Sequence, residues 1–162
     1  MRLPPLITII KFIVAIGVCQ LAGFVGSLFT TPSIPTWYAA LRKPSFNPPN
    51  WIFGPVWTSL FVLMGIAAFI VWNKGLDKKG VKAALLLFII QLVLNMLWSY
   101  LFFTLHSPLY AFVEIIILWL AILLTMVKFF PISRAAGYLL LPYILWVSFA
   151  AVLNFTIFRL NP

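Results

Sequence analysis

Two runs of residues stack polar and aromatic side chains along a helix. Gln91, Asn95, Trp98 and Phe102 follow at i, i+4, i+7 and i+11, and Pro142, Trp146, Ala150 and Asn154 at successive steps of four. Each spacing keeps its set on one helical face. Both faces combine a large flat ring with a carboxamide, and Ala150 leaves room one turn from Trp146. Such a surface suits a planar, largely apolar ligand held by stacking and a few polar contacts. Trp57 supplies a third deep ring, and Glu114 is the one acidic residue inside an apolar run.

The chemistry these residues do not offer is equally informative. The only other acidic residue is Asp77, so the sequence has no paired carboxylates inside an apolar run for acid–base work. One cysteine, Cys19, and one histidine, His106, provide neither a metal cluster nor a nucleophile–base set. No glycine-rich phosphate loop is present. The expectation is a binder or carrier with no metal and no required cofactor.

The elements that must position these groups follow from composition. Of 162 residues, 64% are hydrophobic and 8% charged, and the mean hydropathy is +1.13. A water-soluble domain needs far more polar surface. Crossing the hydrocarbon core takes ~20 apolar residues. Five runs qualify, at about 6–29, 51–72, 81–103, 108–130 and 134–159. The fold class expected is therefore an all-α bundle of five transmembrane helices in a single domain. The first run is read as a retained helix, because it is long and lacks a small-x-small cleavage site. Most prolines mark span ends, but Pro142 falls within the fifth run and predicts a kink, since it leaves the carbonyl of Tyr138 without its helical donor. The long connection 30–50, rich in proline and aromatics, has the character of a lid.

Net charge is +9, yet the cations flank apolar runs. That pattern indicates topology and anionic lipid rather than nucleic acid. Arg2, Lys11, Lys74, Lys78, Lys79, Lys82, Lys128 and Arg134 collect at one face, against Arg42, Lys43 and Arg159 at the other. Eight cations against three place the amino terminus inside, and the lid and carboxy terminus outside, a cell membrane.

Depth then brings the unusual residues together near the lid: Trp51 and Trp57, the Gln91–Trp98 stripe, Tyr110 with Glu114, and Trp146 with Asn154. Polar groups in lipid are costly unless they meet a partner or a cavity, so a shared pocket is expected there. Plainer readings stand beside this one. Gln91 and Asn95 also suit interhelical hydrogen bonding, Trp51 an interfacial belt, and Trp72 and Trp119 a belt or lipid contact. Gly23 and Gly26 suit close helix approach, and His106 a solvated turn.

The motif Trp37-Tyr38-x-x-Leu41-x-Lys43-Pro44-Ser45-Phe46-x-Pro48-Pro49-x-Trp51 continues into Phe53-Gly54-Pro55-x-Trp57-Thr58-x-Leu60 and Met64-Gly65. With Gln91-x-x-x-Asn95-x-x-Trp98 and Leu141-Pro142-Tyr143-x-x-Trp146-x-x-Phe149-Ala150-x-x-Leu153-Asn154, it resembles the translocator protein family (tryptophan-rich sensory protein, TspO; peripheral benzodiazepine receptor). The resemblance covers nearly the whole chain. It implies a homodimeric five-helix bundle that binds protoporphyrin IX, haem and similar planar apolar molecules in a pocket under the first long loop. Carried over, the ligand positions are Trp57, Asn95, Trp98, Tyr110, Trp146 and Ala150, with Trp37 and Lys43 in the lid. Gln91, Glu114 and Asn154 are further intramembrane polar candidates. Trp57 and Trp146 match tryptophans implicated in light-dependent porphyrin degradation in some bacterial members, which is the enzymatic alternative. A proton-coupled exporter titrating Glu114 is another. The stretch Leu153–Arg159 lacks the tyrosine of the animal cholesterol motif, which argues against cholesterol.

Overall fold

The computed structural model describes residues 5–162 and shows the expected five apolar rods. Helix α1 spans Pro5–Thr30 and runs into a 3-10 turn at Thr31–Ser33, followed by a short helix α2 at Trp37–Ala40. Helices α3 (Asn50–Trp72), α4 (Val81–Ser99) and α5 (Pro108–Phe129) cross in turn, and the last span is broken into α6 (Arg134–Leu139) and α7 (Leu141–Leu160). Arg2, one of the cations used above for orientation, lies outside the described residues.

Local chemistry explains the ends. Ser107 Oγ accepts from the Tyr110 N–H and Pro108 opens α5; Ser133 Oγ accepts from the Ala136 N–H at the start of α6. Both hydroxyls satisfy a donor that the first helical turn leaves free. The tight turn between α3 and α4 uses Gly75 at φ +108° and Gly80 at φ +87°, a region that side chains avoid. Pro142 breaks the last span at Leu140, as the missing N–H predicts.

Packing is closest between α4 and α5, α1 and α3, and α5 and α7. A main core gathers Phe61, Met64, Ala67, Phe88, Ile122 and Tyr143, all buried. Leu86, Val93, Ile117 and Leu124 face outward, where only hydrocarbon makes such exposure favourable. Gly65 permits the α1–α3 contact. A Cβ there would lie 2.8 Å from Ile16 Cα and 3.2 Å from the Ala15 carbonyl oxygen, which are backbone atoms with little freedom to yield.

A smaller cluster of Tyr38, Phe102, Phe103, Ala111, Leu153 and Ile157 seals the lid end. Here α4 loosens into a π turn at Tyr100–Thr104, with the Leu105 N–H donating to the Tyr100 carbonyl at 3.0 Å. The extra residue in this turn re-aims Phe102 and Phe103 beneath the lid. The lid itself is fastened in several places. The Tyr38 hydroxyl donates to Asn47 Oδ1 at 3.0 Å, and burial pushes its phenol above the ordinary tyrosine value, so it remains a donor. Ser33 donates to the Phe103 carbonyl. The Asn161 side chain pairs with both backbone groups of Arg42, accepting from its N–H and donating to its carbonyl, each at 2.9 Å.

Candidate ligand-binding site

Between α1, α3, α4 and α7, under the lid, lies a cavity of about 540 Å³. That is within the range of small-molecule sites, roughly 300–1,000 Å³. Its walls carry Trp57, Asn95, Trp98, Trp146, Ala150 and Asn154 from the sequence-derived set. Gly23 and Gly26 of α1 line it too, and Gly23 also permits close approach: a Cβ would fall 2.6 Å from the Phe61 ring.

The rings are held by neighbours. Trp57 stacks on Phe61 with centroids 5.6 Å apart and meets Tyr143 edge-on at 6.2 Å. Trp146 touches Phe53 at 6.0 Å and Phe149 at 5.5 Å. Trp98 stacks on Phe102 at 5.3 Å, and its indole N–H donates to Asn154 Oδ1 at 3.0 Å. Asn154 in turn donates to the Pro108 carbonyl at 2.8 Å. Both ends of this carboxamide are therefore committed to joining α4, α5 and α7.

Trp57 and Trp146 differ from Trp98. Both line the cavity, and neither indole N–H has a hydrogen-bond partner among the described residues, so neither donor is committed to the scaffold. Asn95 donates to the Tyr143 hydroxyl at 3.0 Å, leaving its carbonyl oxygen as a free acceptor. Tyr143 passes the chain on by donating to Gln91 Oε1 at 2.9 Å. Gln91, 1% exposed, is thus part of the scaffold behind the cavity rather than its wall. Stacking faces, two donors and one acceptor can orient a flat molecule with polar edges.

Other sequence-derived positions lie elsewhere. Tyr110 is 64% exposed on the outer face of α5 and does not line the cavity. Trp37 stacks on His106 at 4.4 Å and packs on Phe102, forming the far side of the roof. His106 is therefore a ring partner at φ +51° and not merely a solvated turn residue. Lys43 sits 4.7 Å over the Tyr38 ring and donates to the carbonyls of Ala39 and Leu41. Trp119, expected at the lipid, donates to Ser148 Oγ at 2.8 Å inside the bundle. Glu114 is 5% exposed in α5 and is not among the cavity-lining residues, with no hydrogen-bond partner for either carboxylate oxygen among the described residues. Sequence reasoning missed Tyr143 and Phe61. Tyr143 was findable as a hydroxyl directly after the kinking proline; Phe61 carried no signal that separates it from other apolar residues.

A five-span bundle enclosing an aromatic pocket beneath a proline-rich lid defines a class of membrane proteins. Comparison with known proteins gives the family: residues 15–160 match the model for the TspO/MBR family. The chain is 49% identical over 154 residues to "Tryptophan-rich protein TspO" of Chlorobaculum tepidum, spanning 95% of this chain and 98% of that one. It is 38% identical to the human "Translocator protein" over 88% of this chain and 85% of that one. Identity to the "Tryptophan-rich sensory protein" of Cereibacter sphaeroides is 35%, over 93% and 90%. The chain belongs to the TspO/MBR family and is an integral membrane protein.

Proposed function

We propose that this protein binds tetrapyrroles such as protoporphyrin IX or haem in the cavity under the lid, acting as a sensor or carrier for them. The observation that carries the reading is the pair Trp57 and Trp146. Two large rings with unpaired N–H groups line one cavity beside Ala150, which gives a flat macrocycle two stacking faces and donors for its carboxylates. Lid and carboxy terminus face outward in this reading, from the excess of cations at the opposite face, and the protein works as a homodimer. Adding protoporphyrin IX to detergent-purified protein is expected to quench tryptophan emission saturably. Trp57→Phe with Trp146→Phe should weaken binding at least tenfold, about 1.4 kcal/mol. Absence of saturable quenching would remove the reading. Illuminating the same complex separates binding from photochemical breakdown, because only the latter consumes the bound porphyrin's absorbance in a Trp57/Trp146-dependent way.

A second reading rests on Glu114. A carboxyl buried in a span, with neither oxygen partnered among the described residues, is the kind of group that proton-coupled transporters use. Glu114→Gln in proteoliposomes is then expected to abolish porphyrin efflux driven by a pH gradient, while binding persists. Efflux unchanged at every pH would exclude coupling through this residue.

A further inference from the structure

At the end of the bundle away from the lid, a second cavity of about 260 Å³ opens between α1, α3 and α4. Val14, Ala15 and Val18 form its α1 wall, Ala68 and Trp72 its α3 wall, and Leu85, Phe88 and Ile89 its α4 wall. All are apolar or aromatic. Lys11 lies one turn before Ala15, and Lys82 one turn before Leu85 and two before Ile89, so each cation continues the face of its helix that lines the groove. Helices α1 and α4 run in the same direction, and α3 runs against them to end at Trp72. The Lys11 ammonium stands 5.5 Å over the Trp72 ring, which ties the charged level of α1 to the end of α3. From Lys11 to Val18 and from Lys82 to Ile89 the groove descends about 10 Å at 1.5 Å per residue. It is thus an apolar slot with cations at its mouth, and Lys74, Lys78 and Lys79 lie in the adjoining turn against one acidic residue, Asp77.

We infer that this slot is a binding site for an anionic phospholipid, with one acyl chain laid between α1, α3 and α4 and the phosphate at Lys11 and Lys82. Size favours a chain of methylenes over a helix from another protein, which is about 10 Å across. Charge decides the headgroup. Burying an acyl chain in the slot gains little over leaving it among other lipid tails, because the bilayer is as apolar as the slot. The slot therefore fixes where the lipid lies, and the lysines fix which lipid it is. A basic site between transmembrane helices is a recurrent way of retaining anionic headgroups.

The test is native mass spectrometry of detergent-purified protein given equal amounts of dioleoyl phosphatidylglycerol and dioleoyl phosphatidylcholine. Phosphatidylglycerol should be retained in preference. Lys11→Gln with Lys82→Gln should weaken it roughly thirtyfold, from the typical worth of two interfacial lysines, and leave phosphatidylcholine unaffected. Val18→Trp, introduced from the lipid-facing side, should block the slot and lose the lipid with both lysines in place. Helical circular dichroism and a melting temperature near the parent's serve as the check that each variant is folded. Equal retention of the two lipids overturns the inference. So does selectivity that survives the Lys11/Lys82 change but falls with Lys78→Gln and Lys79→Gln, which would mean diffuse surface attraction. A Val18→Trp protein that keeps its lipid but changes oligomeric state would make the slot a contact between copies instead.

Discussion

Gly65→Val is expected to yield a protein that inserts but melts roughly 6 °C lower in detergent. The new Cβ would meet Ile16 Cα at 2.8 Å and the Ala15 carbonyl oxygen at 3.2 Å. Backbone cannot rotate away as a side chain can, so α1 and α3 must separate along their length. Overpacking of this kind costs about 1–3 kcal/mol, occasionally more, and a chain of this size loses about 2–4 °C per kcal/mol. The effect reaches the cavity as well, because Gly23 of α1 packs closely on the Phe61 ring of α3 and both line it beside Trp57. Thermal unfolding followed by tryptophan emission, together with porphyrin affinity, checks both parts. An unchanged melting temperature would show that α1 does not pack on α3 at Gly65.

Ala150→Phe is the counterpart in which the fold survives and the ligand is lost. Ala150 lies on the cavity wall one turn beyond Trp146, so a phenyl ring there enters open space instead of packed core. It would occupy the region over which a macrocycle must slide. Porphyrin affinity should fall at least a hundredfold, about 2.7 kcal/mol, with the melting temperature within a few degrees of the parent. Ala150→Ser should bind nearly as well as the parent. A dissociation constant within threefold for the phenylalanine variant would mean that the ligand does not lie against α7.

The gross architecture was readable because hydrocarbon imposes one rule on every span: about twenty apolar residues with the polar ones accounted for. Trp57, Asn95 and Trp146 stood out against that background by type alone. Depth was readable from position along a span, and angle about the helix axis was not. Tyr110 illustrates the difference, since it has the expected depth and points outward. Gln91 and Asn95 share a stripe, yet one is scaffold and the other wall, a distinction set by where Tyr143 reaches across from α7. The π turn at Tyr100–Thr104 brings Phe102 and Phe103 into the cluster around Tyr38 of the lid. No residue in that stretch signals it, since Tyr-Leu-Phe-Phe-Thr reads as ordinary helix. Lys43 was expected in the lid and sits there, but its ammonium is engaged with Tyr38 and two lid carbonyls instead of being directed at the cavity.

The two hydrogen bonds between Asn161 and Arg42 join positions 119 residues apart and imitate, with one carboxamide, the pairing of adjacent strands. They make the roof and the α7 wall a single mechanical piece along one edge. Asn161 sits one turn past Ile157, which is one turn past Leu153, so tension at the roof is transmitted straight down the helix that carries Ala150 and Trp146. With the Ser33 bond to the Phe103 carbonyl at the other end of the roof, the covering segment is riveted to α7 on one flank and to the π turn on the other.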